Sequence, residues 1–313
     1  MSAVGDRGAA QEPALRATQC AICGVPGEAD EVYPSRLNPA AFTSATFSAR
    51  RLPDRVHYRM VRCRRCGLVR SDPTASAEVM AELYEGSSFD YGDELEGLRA
   101  TYGRALDRVA AHVPSRHGLL DVGCGNGFVL ALALERGWDH VRGVEPSADA
   151  IASAPAGVAE QIEHDIMRPG LFAPESFDAV TLFQVLDHMP DPVALLEECR
   201  KILRPGGVIL ALNHNVTAWS ARLLGERSPI VDVEHTYLYS PETMRRLFER
   251  AGFEAIAVGG IRNTYSLAYL VHLLPFPERV KASAIPRLRE TRAGRTQLTV
   301  PLGNLCLVAR RGA

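Results

Sequence analysis

The sequence lacks any uninterrupted apolar run of transmembrane length, and its first eighteen residues lack the apolar centre of a secretory signal. The expected chain is therefore neither membrane-spanning nor exported, and a cytoplasmic location follows. It also lacks an excess of charge of one sign: Lys and Arg number 35 against 37 Asp and Glu, a formal net charge of -2, so there is no global basis for attraction to nucleic acid or an anionic membrane. No trio of residues has the local spacing of a catalytic metal site, which disfavours a metal-dependent mechanism. What remains is ordinary globular composition, 46% hydrophobic and 23% charged over 313 residues, enough for one sizeable α/β core and a smaller module. Residues 1–18, rich in Ala, Gly and charge, are expected to be a disordered leader.

The most informative tract is Leu119-Leu120-Asp121-Val122-Gly123-Cys124-Gly125-Asn126-Gly127-Phe128, an apolar strand end running through a glycine turn into the helix-forming stretch Val129–Leu134. Glycine there lets backbone approach a ligand that a Cβ would exclude. The spacing is Gly-x-Gly-x-Gly, not the Gly-x-Gly-x-x-Gly of dinucleotide sites, and Asp121 precedes it, so no pyrophosphate cradle is evident. Glu145, just after the next strand, can accept hydrogen bonds from both hydroxyls of a ribose. Together these favour S-adenosylmethionine as the ligand. Downstream, strands at 118–122, 140–144, 177–183, 207–213, 253–258 and 304–310 alternate with helices at 128–136, 147–154, 191–203 and 241–251, with a further helix expected at 264–274. Ser240 and Pro241 start the helix at 241 and Gly252 ends it. The repeated βα units predict an α/β fold, a doubly wound sheet with ligands above the carboxyl ends of its strands and a last strand that may run antiparallel.

Four of the seven cysteines form two Cys-x-x-Cys knuckles, Cys20/Cys23 and Cys63/Cys66. Four thiolates are the tetrahedral set that zinc prefers, and a closed shell leaves no position for an activated water, so the expected role is structural and local to residues 19–75. Redox-active or incidental pairs are the alternative, since 39 residues separate Cys23 from Cys63. Cys124, Cys199 and Cys306 read as small buried hydrophobes. Arginines are dense from Arg50 to Arg70, and Arg62, Arg64 and Arg65 crowd the second knuckle. They could meet phosphate, or simply form a solvated edge. Residues 76–117 read as a helical linker broken near Gly86–Gly92, where Tyr84, Phe89 and Tyr91 could form a lid over the cofactor or pack between domains.

The segments LLDVGCGNG, VRGVEP, EHDI, FDAVTLFQVLDHMPDPVALLEECRKILRPGGVILALNHN and HTYLYSPETMRRLFERAGF resemble a class I S-adenosylmethionine-dependent methyltransferase over most of residues 118–258. The resemblance implies a seven-stranded, Rossmann-like methyltransferase domain over 118–313. It assigns the methionine part of the cofactor to Gly123, Gly125 and Gly127, ribose to Glu145, and the adenine edge to Asp165 with Ile166 beside it. Asp121 would orient the turn or meet the methionyl ammonium through water, and Asn126, Pro146, Phe183 and Tyr84 complete the expected contacts. The layout of knuckles, Cys66-Gly67-Leu68-Val69 and Asp72-Pro73 is similar to bacterial methyltransferases with an N-terminal zinc-binding domain, which act on sugars, natural products and other small molecules. Methyl transfer from a sulfonium needs alignment and, for a hydroxyl acceptor, a base. His188, His214 and His235 are the candidates, each equally readable as a pocket or loop histidine, with His214 and His235 better placed for substrate work. The expected partner is a small-molecule acceptor, sugar, natural product or carrier-linked. An RNA methyltransferase that uses the zinc module for recognition is the alternative, though no Asn-Pro-Pro-Tyr-like motif follows Thr181-Leu182-Phe183. A non-catalytic scaffold is the third class.

Overall fold

The computed structural model describes residues 15–37, 55–85, 92–273 and 278–312. Phe89, Tyr91, Arg50, Arg51 and residues 1–14 of the expected leader lie outside them. The N-terminal segment comprises β1 (Leu15–Arg16), β2 (Ala29–Tyr33), β3 (Met60–Cys63), β4 (Val69–Ser71), β5 (Thr74–Ala75), α1 (Ala77–Glu85) and α2 (Leu95–Ala110). The first half of the large sheet follows as β6 (Gly118–Val122), α3 (Phe128–Glu135), β7 (His140–Val144), α4 (Ala148–Ala152), β8 (Ile162–Glu163) and β9 (Phe177–Phe183). Then come α5 (Pro192–Ile202), β10 (Leu203–His214), α6 (Trp219–Leu224), β11 (Tyr237–Leu238), α7 (Pro241–Arg250) and β12 (Phe253–Gly260). The chain closes with β13 (Asn263–Ser266), α8 (Leu267–Leu273), α9 (Glu278–Glu290), α10 (Arg292–Arg295), β14 (Gln297–Val300) and β15 (Asn304–Arg311).

Every residue of β6 and β9 is buried, as near-continuous apolar strands covered on both faces must be. They lie at the centre of a seven-stranded sheet of order β12-β15-β10-β9-β6-β7-β8. Only β15 runs antiparallel to its neighbours, so the sheet is mostly parallel, as the sequence predicts. The strand order reverses between β6 and β9, and the crevice at their carboxyl ends is the place for a ligand. Alternate residues feed opposite layers: Leu120, Val180 and Ile209 meet α5 and α7 on one face, while Leu119, Ala179 and Val208 meet α2 and α3 on the other. Cys199 belongs to the first layer and Cys124 and Cys306 to the second, all buried.

Three expectations change. The stretch 76–117 is no mere linker, because Leu98, Tyr102, Ala105, Leu106 and Val109 of α2 form part of the core beneath the sheet. The predicted helix at 264–274 begins only at Leu267; its first residues form β13, which pairs with β14 beyond an insertion that carries α8 to α10. That pairing depends on a partner some thirty residues away in sequence, with Thr264 and Thr299 hydroxyls in contact, and local periodicity carries no trace of it. Residues 15–18, expected to belong to a disordered leader, are ordered instead: Leu15 and Arg16 pair with β5, and the Thr18 hydroxyl donates to the Ser71 carbonyl.

The N-terminal module reaches further than its own segment. Its antiparallel sheet is β11-β4-β3-β2, so Tyr237 and Leu238, from beyond the fifth strand of the large sheet, complete it. Arg70 of β4 is fully buried and donates to the Thr18 hydroxyl. Cys20, Cys63 and Leu68 share one apolar cluster with Leu120 and α7, so module and main domain have a common core.

Candidate active site and metal centre

A cavity of about 310 Å³ opens at the carboxyl ends of β6, β7 and β9, and it is lined mainly by apolar groups. Of the residues assigned to the cofactor from sequence, Gly123, Glu145, Pro146, Asp165, Ile166 and Tyr84 line it. Gly123 has φ +67°, and a Cβ there would approach Val185 Cγ2 to 2.9 Å, so the turn can pass this point only without a side chain. Glu145 is buried, and its carboxylate is held by backbone: Oε2 accepts the Gly125 N–H at 2.8 Å and Oε1 the Ser147 N–H at 2.9 Å. Burial pushes its pKa up against those two hydrogen bonds. Each oxygen keeps a lone pair for a further donor, which fits a pair of ribose hydroxyls. Asp165 is held ionised by the Arg168 guanidinium beside it and accepts the Ile166 N–H.

Other assigned residues sit behind the cavity wall. Asn126 accepts the Phe128 N–H and so shapes the entry to α3, while Gly127 (φ +71°) packs where a Cβ would meet Val158 Cγ1 at 2.6 Å. Asp121 is buried beneath the turn and accepts the Thr181 hydroxyl at 2.6 Å; burial, with the Glu145 charge adding to it, pushes its pKa up to about 7. Phe183 stacks on Tyr102 at 4.2 Å, in the core under α2. Conversely Gln184 and Met167 line the cavity without having been singled out, and Glu234, expected from sequence as a carboxylate partner of His214 or His235, lines it too. Gln184 has φ +58°, a conformation rare for a residue with a Cβ, and the tract FQVLDH gives no sign of it.

The three histidines converge on one carboxylate. His188 lines the cavity; its Nδ1 is 2.7 Å from the Tyr84 hydroxyl and its Nε2 is 3.6 Å from Asp187 Oδ1. Its ring lies 4.9 Å from that of His235, which in turn lies 4.9 Å from that of His214. Neither His235 nor His214 is part of the cavity lining; both stand behind His188. Asp187 is buried, and Oδ1 accepts the Asn213 side-chain N–H at 2.7 Å. Burial would push Asp187 up, but the neighbouring imidazoles outweigh it and hold the carboxyl below its usual range. Burial, together with the other two rings, holds His235 well below the ordinary histidine range and so neutral. The atoms of Asp187, His214 and His235 lie within 4.8 Å of one another. Sequence spacing gives no hint of this trio, because the residues come from three separate elements and only the tertiary fold assembles them.

The four knuckle sulfurs also lie within 4.8 Å of one another, with Cys20 and Cys66 Sγ at 3.4 Å and Cys23 and Cys63 Sγ at 4.0 Å. All are free thiols. A tetrahedral zinc with Zn–S bonds near 2.3 Å sets its sulfurs about 3.8 Å apart, so the donor set fits. Each knuckle turns tightly on itself, Gly24 N–H to Cys20 O and Gly67 N–H to Cys63 O. The arginines nearby are paired: Arg64 with Asp30 and Arg65 with Glu28.

Part of the chain is similar to known proteins. A relative named ubiquinone biosynthesis O-methyltransferase from Idiomarina loihiensis is 33% identical over 156 residues, 46% of this chain and 64% of that protein. One of the same name from Neisseria meningitidis serogroup C is 26% identical over 199 residues, 57% of this chain and 84% of that protein. The chain thus spans somewhat under two thirds of the first relative's length. A solved S-adenosylmethionine-dependent methyltransferase from Archaeoglobus fulgidus aligns at 19% identity and a TM-score of 0.47, over 71% of this chain and all of that one. The family model described as a methyltransferase domain matches residues 95–258, from the start of α2 to β12 and more than half of the sequence, and the chain belongs to that family.

Proposed function

We propose that the protein transfers a methyl group from S-adenosylmethionine to an oxygen of a small-molecule acceptor. The observation that carries this reading is the cavity at the β6/β9 reversal, with the Glu145 carboxylate pinned by Gly125 and Ser147 on one side and His188 on the other. Glu145 would hold the ribose, the backbone around Gly123 the methionine part, and Asp165 with Ile166 the adenine edge. When bound, the cofactor supplies an electrophilic methyl group on a sulfonium, and the chain's own residues must align the acceptor, exclude water and take its proton. His188 is the base in this reading. The acceptor's proton passes to the Tyr84 oxygen as the Tyr84 hydroxyl proton passes to His188 Nδ1, and Asp187 stabilises the resulting imidazolium. Oxygen as the acceptor atom is supported by the names of the relatives and by a base on the cavity wall.

The four cysteines in this reading hold one structural Zn2+. RNA as substrate loses its main support, since Arg64 and Arg65 are engaged with carboxylates and the net charge is -2. Among the described residues no helix is long and apolar enough to cross a membrane. Isothermal titration with S-adenosylhomocysteine tests the cofactor assignment. Glu145→Ala should weaken binding roughly 10- to 100-fold, the worth of hydrogen bonds to a charged group; wild-type affinity in that variant would overturn it.

A further inference from the structure

The Asp187 carboxylate has one oxygen accounted for and one not. Oδ1 is held by the Asn213 side chain, while Oδ2 is buried and has no hydrogen-bond partner among the described residues. A buried carboxylate oxygen left unsatisfied is costly, so such groups point to something that completes them. His235 Nε2 stands 4.0 Å away, too far for a hydrogen bond. A tetrahedral cation with bonds of about 2.0–2.1 Å holds two such ligands about 3.3 Å apart, so metal binding would draw this pair together by about 0.7 Å. His235 is already set up as a ligand. Its Nδ1–H donates to the Ile230 carbonyl at 3.0 Å, which fixes the tautomer and leaves the Nε2 lone pair directed elsewhere. His214, the third member, has its ring 4.9 Å from that of His235. A buried carboxylate and two imidazoles whose donor atoms converge, with Asp187 held by Asn213 and His235 by the Ile230 carbonyl, form a donor set that a metal ion can take.

We propose that Asp187 Oδ2, His214 and His235 Nε2 bind one divalent first-row transition metal ion, distinct from the four-cysteine site. Two imidazoles with one carboxylate favour Zn2+ or Fe2+ over Mg2+ or Ca2+, which seek all-oxygen shells. Three protein ligands leave coordination positions open, and His188 connects the site to the cavity, with its ring 4.9 Å from that of His235. The inference rests on these residues alone and does not require the methyl-transfer reading to be correct.

The test is metal counting on the full chain. Chelator-stripped protein is titrated with Co2+ while absorption is recorded. The four-cysteine site shows intense thiolate-to-cobalt charge transfer, whereas a site of two nitrogens and one oxygen shows only weak ligand-field bands. We expect two equivalents in the wild-type protein, one of each type. His214→Ala and Asp187→Asn should each lose the weak-band equivalent and keep the thiolate one, whose retention also reports that the N-terminal module is folded. A single, thiolate-only equivalent in the wild-type protein would overturn the proposal, whatever the variants do. So would a weak-band equivalent that persists in the doubly substituted His214→Ala, His235→Ala protein.

Discussion

His188 stands on the cavity wall between Tyr84 and Asp187, whereas His214 and His235, which the sequence reads as better placed for substrate work, lie behind it. Replacing His188 by Gln should lower kcat by about 10²–10⁴-fold with little change in the KM for S-adenosylmethionine, the signature of a lost general base. Steady-state kinetics decide it: an unchanged kcat would remove His188 from the chemistry. Asp121 makes a different prediction. Its pKa of about 7, raised by burial from 3.8, means that the folded state keeps a proton through the window from pH 3.8 to about 7 where the unfolded chain has released it. Its contribution to stability is therefore present below that window and lost as pH rises through it. Asp121→Asn should flatten the fall in urea midpoint over this range, and a wild-type slope in the variant would show that Asp121 does not titrate there.

At the scale of elements, the two-residue strand β11 matters more than its length suggests. Its own pairing with β4 is extended by the Ser71 hydroxyl, which donates to the His235 carbonyl at 3.0 Å, and by the Ser71 N–H, which donates to the Thr236 carbonyl. From the other side, the Thr236 and Tyr237 N–H groups both donate to the Asp187 carbonyl. The loop that carries His235 is thus clamped between the N-terminal module and the turn after β9. Ser71→Ala removes one buried hydrogen bond, worth about 1 kcal/mol, and should speed amide exchange at Thr236 and Tyr237 ahead of the central strands. Equal protection in the variant would show that the clamp does not depend on this bond. The capping of α7 is simpler: Ser240 accepts from Thr243 and the Thr243 hydroxyl answers the Ser240 N–H, as the local sequence announces, except that Thr takes the place usually held by Glu or Gln.

For the whole molecule, the shared core changes what loss of the four-cysteine metal should do. Sequence alone confines the effect to residues 19–75, but β11 belongs to the same sheet as β2 to β4 and follows His235 after a single residue, Thr236, which is tied to both Asp187 and Ser71. Cys63→Ser should cost about one zinc equivalent by elemental analysis and loosen both the module and residues 230–239, so that turnover falls while S-adenosylhomocysteine still binds near Glu145 on β6 and β7. Full turnover in metal-depleted, folded protein would show that the module and the histidine cluster are independent. By itself the sequence determined the βα alternation, the glycine turn, the carboxylate after the second strand and the paired knuckles, because each is a short-range pattern set by backbone sterics, strand burial or the spacing that one metal requires. Only the tertiary structure decided that α2 is core, that β13 pairs with β14, that Phe183 packs away from the cavity, and that Asp187, His214 and His235 meet. Those outcomes depend on which distant segments pack together, and contacts of that kind leave no periodicity along the chain.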